Sequence, residues 1–125
     1  MRKVFIINEH AKWIELLTFL VSSLGHAVEH LADPLDLFDR VITDRPDLVI
    51  MDIHYEYIDG IFLVEKYMVI PDCRKVPILV VSSKNDPLSL VDSIERGAAD
   101  FLSVPINEDQ LIEKVKKLLP PTAPA

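Results

Sequence analysis

The sequence predicts an α/β fold in which a mostly parallel sheet of five strands carries helices on both faces. Strand-like and helix-like segments alternate five times along the 125 residues. The strand-like runs are short and continuously apolar, which is typical of strands buried on both faces. Parallel neighbours in a sheet need right-handed crossovers, and each intervening helix would supply one.

The first half of the chain contains three strand and helix pairs. In the first helix apolar residues recur at intervals of three and four, and Gly25 follows it as a stop signal. Asp33-Pro34 combines an N-cap with the residue best tolerated in a first helical turn. Pro71 is expected to stop the third helix. The predicted elements are strands at 3–7, 27–31 and 46–52 and helices at 11–24, 34–44 and 61–69, the second helix with Leu35, Phe38, Val41 and Ile42 on its apolar side.

The second half repeats this arrangement twice. Pro77 opens a strand at 78–81, and Asp86-Pro87 begins a fourth helix that ends at Gly97. A fifth strand at 101–104 is cut off by Pro105, and residues 107–110 resemble a capping box that opens the fifth helix. Residues 1–119 therefore form one predicted domain, and the Pro-rich residues 120–125 are interpreted as a tail or the start of an interdomain linker.

Composition excludes several classes of function. Half of the residues are hydrophobic, which argues against disorder. A net charge of -7 disfavours binding to nucleic acid phosphates or to an anionic membrane. The single cysteine, Cys73, excludes an internal disulfide and fits a reducing cytoplasm. No segment is long enough for a transmembrane span, and the apolar run near the N-terminus is too short for a signal peptide.

The polar residues that follow the strands are expected to meet in one crevice. The commonest strand order for a domain of this size is the flavodoxin-like order 2-1-3-4-5, in which ligands bind outside the carboxyl ends of the strands. Asp52 ends the third strand, directly after four apolar residues. Asn8-Glu9, Ser82 and Val104-Pro105 leave strands 1, 4 and 5 at the same edge. This edge is therefore the predicted functional site.

Several motifs in this order resemble the receiver domains of bacterial two-component response regulators. The most specific are the run Asp47–Asp52 followed by Asp59-Gly60, the stretch Pro77–Ser82, and residues 97–102 with Pro105 after them. The resemblance covers residues 3–119, and it rests on all the motifs occurring together at the family's spacings.

The resemblance implies a cytoplasmic signalling domain that is phosphorylated by a histidine kinase or a phosphotransfer protein, and that is not an enzyme beyond this reaction on itself. It also implies a face for a partner or a second copy, formed by the fourth helix, the fifth strand and the fifth helix. The implied roles are Asp52 as phosphoacceptor; Glu9, Asp52, the backbone carbonyl of His54 and, more weakly, Asn8 as Mg2+ ligands; Ser82 as hydrogen-bond donor to the phosphoryl group; Phe101 as switch aromatic; and a cis bond between Val104 and Pro105.

The sequence departs from the family pattern at three positions, and two of these departures, at Glu56 and Val104, make the site more negative. Asn8 stands in the expected pair of acidic residues, Glu56 stands where proline is common, and Val104 occupies the position of a lysine. Like charges 4 to 6 Å apart repel by roughly 3 to 4 kcal/mol at an effective dielectric constant near 20. We therefore expect phosphorylation to be impaired. Lys84 could supply a replacement charge, although exposed loop lysines usually stay in water.

Three classes of function remain open at this stage: a working phosphorelay receiver, a pseudo-receiver that docks partners without phosphorylation, and a small flavodoxin-fold enzyme or nucleotide binder. The third is disfavoured because the loops after strands 1 and 4 contain no glycine, which a phosphate-cradling loop needs. Other interpretations of single residues also remain. Asp52 and Ser82 could have no role beyond hydrogen-bonding a turn. His10 and His54 could flank a transition-metal site, or they could simply be exposed to solvent.

Overall fold

The computed structural model describes residues 2–119, and it contains one parallel sheet of five strands. The strand order is β2-β1-β3-β4-β5, with every neighbouring pair parallel. The predicted α/β class and the 2-1-3-4-5 order are both confirmed. The strands are β1 Lys3–Ile7, β2 Ala27–His30, β3 Leu48–Met51, β4 Ile78–Ser82 and β5 Asp100–Ser103.

Five helices of eight or more residues connect and follow the strands in the described chain. Asp59, Asp86 and Asn107 begin three of them, each with a side-chain oxygen that accepts a hydrogen bond from a backbone N–H in the first turn. Such caps satisfy amide groups that have no partner inside the helix. The helices are α1 Ala11–Ser23, α2 Leu37–Asp44, α3 Gly60–Met68, α4 Pro87–Arg96 and α5 Glu108–Leu118.

Two details of the helices differ from the sequence prediction. The turn capped by Asp33 is a 3-10 segment at Pro34–Asp36, and α2 starts only at Leu37. This tighter turn changes which side chains face the core, so that Leu37 is buried while Leu35 is 62% exposed. Pro71 does not only end α3: it is the first residue of a short helical turn, Pro71–Arg74, that the sequence analysis missed.

The sheet separates two apolar layers and is buried on both faces. Neighbouring residues of a strand point to opposite faces, and Val49 of β3 packs with α2, α3 and α4 while Ile50 packs with α1 and α5. All four residues of β3 are 0% exposed. A charged side chain on this central strand is therefore tolerated only beyond Met51, and Asp52 is the next residue.

Two expectations concern the ends of the chain and the membrane. The interpretation of residues 120–125 as a tail or linker lies outside the described residues. Within the described part, none of the helices has the length and apolar character needed to cross a bilayer.

Candidate functional site

Asp52 lies at the carboxyl end of β3 and is 1% exposed. Its Oδ1 atom accepts hydrogen bonds from the backbone N–H groups of Ile53 at 2.7 Å, His54 at 3.0 Å and Ser83 at 3.4 Å. Its Oδ2 atom is buried and has no hydrogen-bond partner among the described residues. One carboxylate oxygen is thus fixed by the backbone, and the other is left to interact with something else.

One backbone carbonyl joins the β1 and β3 ends. The Ile7 carbonyl accepts hydrogen bonds from the Asp52 N–H at 3.1 Å and from the Tyr55 hydroxyl at 3.0 Å. Burial raises the pKa of the Tyr55 phenol well above its ordinary value, and the charges of Asp52 and Glu9 add to this rise. Tyr55 therefore stays protonated and acts as a donor. Tyr55 had no predicted role, since no local sequence pattern reveals a bond between residues 48 positions apart.

The two residues after β1 are held by backbone N–H groups. Asn8 is 4% exposed, and its Oδ1 atom accepts a hydrogen bond from the N–H of His10 at 2.8 Å. Glu9 reaches across to the β3–α3 loop, where its Oε1 atom accepts from the N–H of Glu56 at 2.7 Å. Glu9 thereby ties the β1–α1 loop to the loop that follows Asp52.

These oxygen atoms fit a divalent cation such as Mg2+. In the described range 2–119 no three His, Cys, Asp or Glu side chains are grouped closely enough to hold a metal ion. Mg2+, however, is commonly held by one or two carboxylates and keeps several waters. Asp52 and Glu9 could supply two carboxylates, and the buried, unpartnered Oδ2 atom of Asp52 is an oxygen that a cation would satisfy. The pair of histidines, His10 and His54, belongs to no such metal cluster in this range.

Ser82 ends β4 and is fully buried. Its hydroxyl donates a hydrogen bond to the Lys84 carbonyl at 2.7 Å and accepts one from the Lys84 N–H at 3.1 Å. The hydroxyl that was expected to contact a phosphoryl group is therefore bonded within its own loop. Ser83 approaches Asp52 instead, through its backbone N–H, and its Oγ atom is buried with no partner among the described residues. Ser83 was not predicted as a site residue, because its contact with Asp52 comes from the backbone.

Lys84 lines a groove of about 550 Å³ together with Glu9, His54 and Asp59. Among the described residues that line this groove, Lys84 is the only lysine or arginine. The structure therefore places an exposed lysine along this groove, whose lining does not include Asp52.

The end of β5 supplies no positive charge. Val104 is partly exposed, its N–H donates to the Ser82 carbonyl at 3.2 Å, and its peptide bond to Pro105 is cis. Phe101 is partly buried, with the Lys114 Nζ atom 5.9 Å from the centre of its ring. Phe101 and Val104 line a cleft of about 630 Å³ beside α5. The expected switch aromatic and lysine position thus lie together on the face predicted to bind partners.

Comparison with known proteins gives a consistent result. The sequence model of the response regulator receiver domain matches residues 4–116. Response regulator MprA of Mycolicibacterium vanbaalenii is 26% identical over 122 residues, which cover 98% of this chain and 52% of that protein. Protein RcaC of Microchaete diplosiphon is 26% identical over 117 residues, covering 94% of this chain and 18% of that protein. The chain therefore spans about half the length, or less, of these curated relatives.

Solved structures share the fold. The signal receiver domain of a signal transduction histidine kinase from Syntrophus aciditrophicus superimposes with a TM-score of 0.84 and 28% identity, over 95% of this chain and 90% of that one. A two-component response regulator from Clostridium difficile gives a TM-score of 0.82 at 23% identity, over 95% and 96% of the two chains. At the latter identity the similarity establishes the fold alone.

Proposed function

The chain belongs to the response regulator receiver domain family, and we propose that it accepts a phosphoryl group on Asp52 from a histidine kinase or a phosphotransfer protein, with a rate limited by the lack of positive charge. The observation that carries this proposal is the asymmetry of Asp52. Its Oδ1 atom is held by backbone N–H groups, while its buried Oδ2 atom has no partner in the described chain. A carboxylate held in place through one oxygen leaves its other oxygen free to act as a nucleophile.

The chemistry is a transfer between two side chains. Oδ2 of Asp52 attacks phosphorus, the bond between phosphorus and the donor histidine nitrogen breaks, and that nitrogen keeps the electron pair and takes up a proton. The N–H groups of Ile53 and His54 hold the carboxylate in place during the attack. Receiver domains are generally not catalytic enzymes, and here the acceptor is part of the chain itself.

A bound Mg2+ would neutralise charge as the phosphoryl group is transferred. Asp52 and Glu9 would hold it, with the carbonyl of His54 and, more weakly, the amide oxygen of Asn8. Two of these groups already have other partners, since Glu9 accepts from Glu56 and Asn8 accepts from His10. Weak metal binding is therefore part of the proposal.

Two features support a reduced rate. Val104 places an apolar side chain where a cation would offset the charges of Asp52, Glu9 and the incoming phosphoryl group. Ser82 must exchange its hydrogen bond to the Lys84 carbonyl before its hydroxyl can donate to a phosphoryl oxygen. A net hydrogen bond contributes about 1 kcal/mol, so this exchange is a small barrier compared with the missing charge.

Incubation with acetyl phosphate and Mg2+, followed by intact mass spectrometry, tests the proposal. We expect slow, incomplete addition of one phosphoryl group, and no addition to Asp52→Asn, which keeps the shape of the side chain but lacks the nucleophile. Addition that persists in Asp52→Asn would show that another residue is the acceptor. Rapid, stoichiometric addition would show that the site is not impaired.

A pseudo-receiver that docks partners without phosphorylation is the second candidate. It is favoured because the Ser82 hydroxyl already donates to the Lys84 carbonyl, and because position 104 carries a valine instead of a lysine. In this case the cytoplasmic partner, or a second copy, would bind the face formed by α4, β5 and α5, where a cleft of about 630 Å³ lies beside Phe101. Asp52→Asn would then leave partner binding unchanged, and neither the variant nor the natural chain would need to be phosphorylated to bind.

A further inference from the structure

We propose that a groove between the β2–α2 and β3–α3 loops is a docking site for a basic and apolar segment of a partner protein. The groove encloses about 420 Å³ and is lined by residues 32–35, Glu9, Tyr55, Tyr57 and Ile58. We call it the tyrosine groove. Its use does not require phosphorylation of Asp52, and it lies away from the face formed by α4, β5 and α5.

The rim of the tyrosine groove exposes apolar surface that could be buried by a partner. Tyr57 is 90% exposed and Leu35 is 62% exposed, although both are large hydrophobic side chains. They come from different loops and line the same groove. Single exposed apolar residues are common, but neighbouring ones around a concave site mark a binding surface more often.

The walls of the groove are held in place before any partner arrives. Asp33 accepts a hydrogen bond from the N–H of Leu35 at 2.9 Å, which fixes the turn that carries Leu35. On the other wall, the Tyr55 hydroxyl bonds the Ile7 carbonyl, and Glu9 bonds the N–H of Glu56. A preformed site loses less entropy on binding than a loop that must first become ordered.

The charge of the lining selects a cationic occupant. Glu9 and Asp33 are acidic, and the described lining contains no lysine, arginine or histidine. Each carboxylate is anchored by a backbone N–H through one oxygen, and an ionised carboxylate has a second oxygen that can accept further bonds. A guanidinium or ammonium group could bond these oxygens and lie against a tyrosine ring at the same time.

Several aromatic rings elsewhere in the described chain already have cations of their own. Lys12 lies over Trp13, Lys66 over Phe62 and Lys114 over Phe101, at 5.2 to 5.9 Å from the ring centres. No such pair involves Tyr55 or Tyr57 within residues 2–119. The exposed Tyr57 ring is therefore available to a cation from another molecule, and a partner segment with arginine between apolar residues matches both the charge and the apolar rim.

A synthetic probe tests this proposal: an end-capped hexapeptide of alternating leucine and arginine, titrated into the full chain labelled with 15N. We expect saturable changes in amide chemical shift confined to residues 32–35, 55–58 and their neighbours. Leu35→Ser and Tyr57→Ser should each weaken binding by about tenfold, the usual effect of truncating a central contact. Asp33→Asn should weaken it less, and added salt should weaken it further.

Matched controls distinguish specific binding in the tyrosine groove from nonspecific binding of the peptide. Leu88→Ser removes a side chain that is 85% exposed on α4, and it should leave the affinity unchanged. The citrulline version of the probe keeps the shape of arginine without its charge and should bind at least about tenfold more weakly. The proposal would be overturned if the probe bound equally well with citrulline or glutamate in place of arginine. It would also be overturned if the chemical shift changes were centred on another face of the domain. Concentration-dependent shifts at the groove without peptide would identify a second copy as the occupant and would also overturn it.

Discussion

The two halves of the sheet edge that carries the site are built differently. In the β1 and β3 half, bonds cross between loops that are far apart in sequence: Tyr55 reaches Ile7 across 48 residues, and Glu9 reaches Glu56 across 47. In the β4 and β5 half, the side chain of Ser82 bonds within its own loop, to Lys84. Side chains thus cross-link distant loops in the acidic half, whereas in the other half the Ser82 side chain bonds only locally and Val104 stands where a charge is expected.

This difference separates the two requirements of the proposed reaction. Holding a nucleophile needs a rigid backbone, and the β1 and β3 half provides it through the N–H groups that bond Asp52. Stabilising the added negative charge needs a cation. Among the described residues that line the groove beside the site, Lys84 is the only lysine or arginine. Under the proposed function, the site would position its acceptor well and activate it poorly.

Gly60→Ala is expected to have the largest effect, because it disturbs the loop after β3 in the cross-linked β1 and β3 half. A Cβ atom at Gly60 would lie 2.8 Å from the carbonyl carbon and oxygen of Ile53. These are backbone atoms next to Asp52, so the loop would have to move. Overpacking of this kind costs about 2 to 3 kcal/mol. Urea denaturation would measure the loss, and the phosphorylation rate of the variant should fall with it.

Gly25→Ala is the matched control for that experiment. Gly25 has a φ of +89° and nothing within 4 Å of an added Cβ atom, so the substitution introduces backbone strain without a clash. We expect a loss of about 1 kcal/mol and normal phosphorylation. Similar losses in the two variants would mean that the loop after β3 is more adaptable than the comparison of the two halves implies.

The fold was predictable because its signals are local. Four apolar residues between Asp47 and Asp52 indicate a buried strand, and Asp86-Pro87 indicates a helix start; β3 and α4 appear where these signals place them. The errors also have local causes. The tight turn at Pro34–Asp36 moved Leu37 rather than Leu35 into the core, and a four-residue helix at Pro71 is too short to show a periodic pattern.

The site was predictable only in part. Sequence order and strand topology bring Asp52, Asn8, Glu9, Ser82 and Val104 to one edge of the sheet, as expected. The partners of these side chains were not predictable, because bonds such as that from Tyr55 to Ile7 depend on the folded path of two loops. The roles assigned to the individual residues remain predictions.

Val104→Lys adds a positive charge to the β4 and β5 half of the sheet edge, at the position where the family pattern has a lysine. Two charges at 4 to 6 Å interact by roughly 3 to 4 kcal/mol at an effective dielectric constant near 20. Solvent at this partly exposed position will reduce the benefit, so we expect about a tenfold faster reaction with acetyl phosphate, which corresponds to 1.4 kcal/mol. Val104→Met has a long side chain without charge and should give no gain. An equal gain from methionine would assign the effect to packing.

Tyr55→Phe tests the cross-link between the loops and should have a smaller effect. The substitution removes the hydroxyl that donates to the Ile7 carbonyl but keeps the ring. The N–H of Asp52 still bonds that carbonyl, so we expect a loss of about 1 kcal/mol in the free energy of unfolding. Mg2+ affinity, measured by calorimetry, should fall modestly because the carboxylates of Asp52 and Glu9 are held less firmly. Unchanged Mg2+ affinity would limit the role of Tyr55 to stability.

Ser89→Ala should have the smallest effect, since it removes only a local hydrogen bond where the β4–α4 loop meets α4. The Ser89 hydroxyl donates to Asp86 at 2.6 Å, and this bond, with one from the Ser89 N–H, lowers the pKa of Asp86. A lowered pKa in the folded state stabilises the protein above the unfolded pKa, and this stabilisation is lost as pH falls through the folded value. The variant keeps only the bond from the backbone N–H, so the pKa of Asp86 should rise toward normal and the acid dependence of stability should weaken. Carboxyl 13C NMR titration would measure the pKa, with the exposed Ser22→Ala on α1 as control. An unchanged pKa would show that the hydroxyl does not hold Asp86, and that the β4 half is looser than its local bonds suggest.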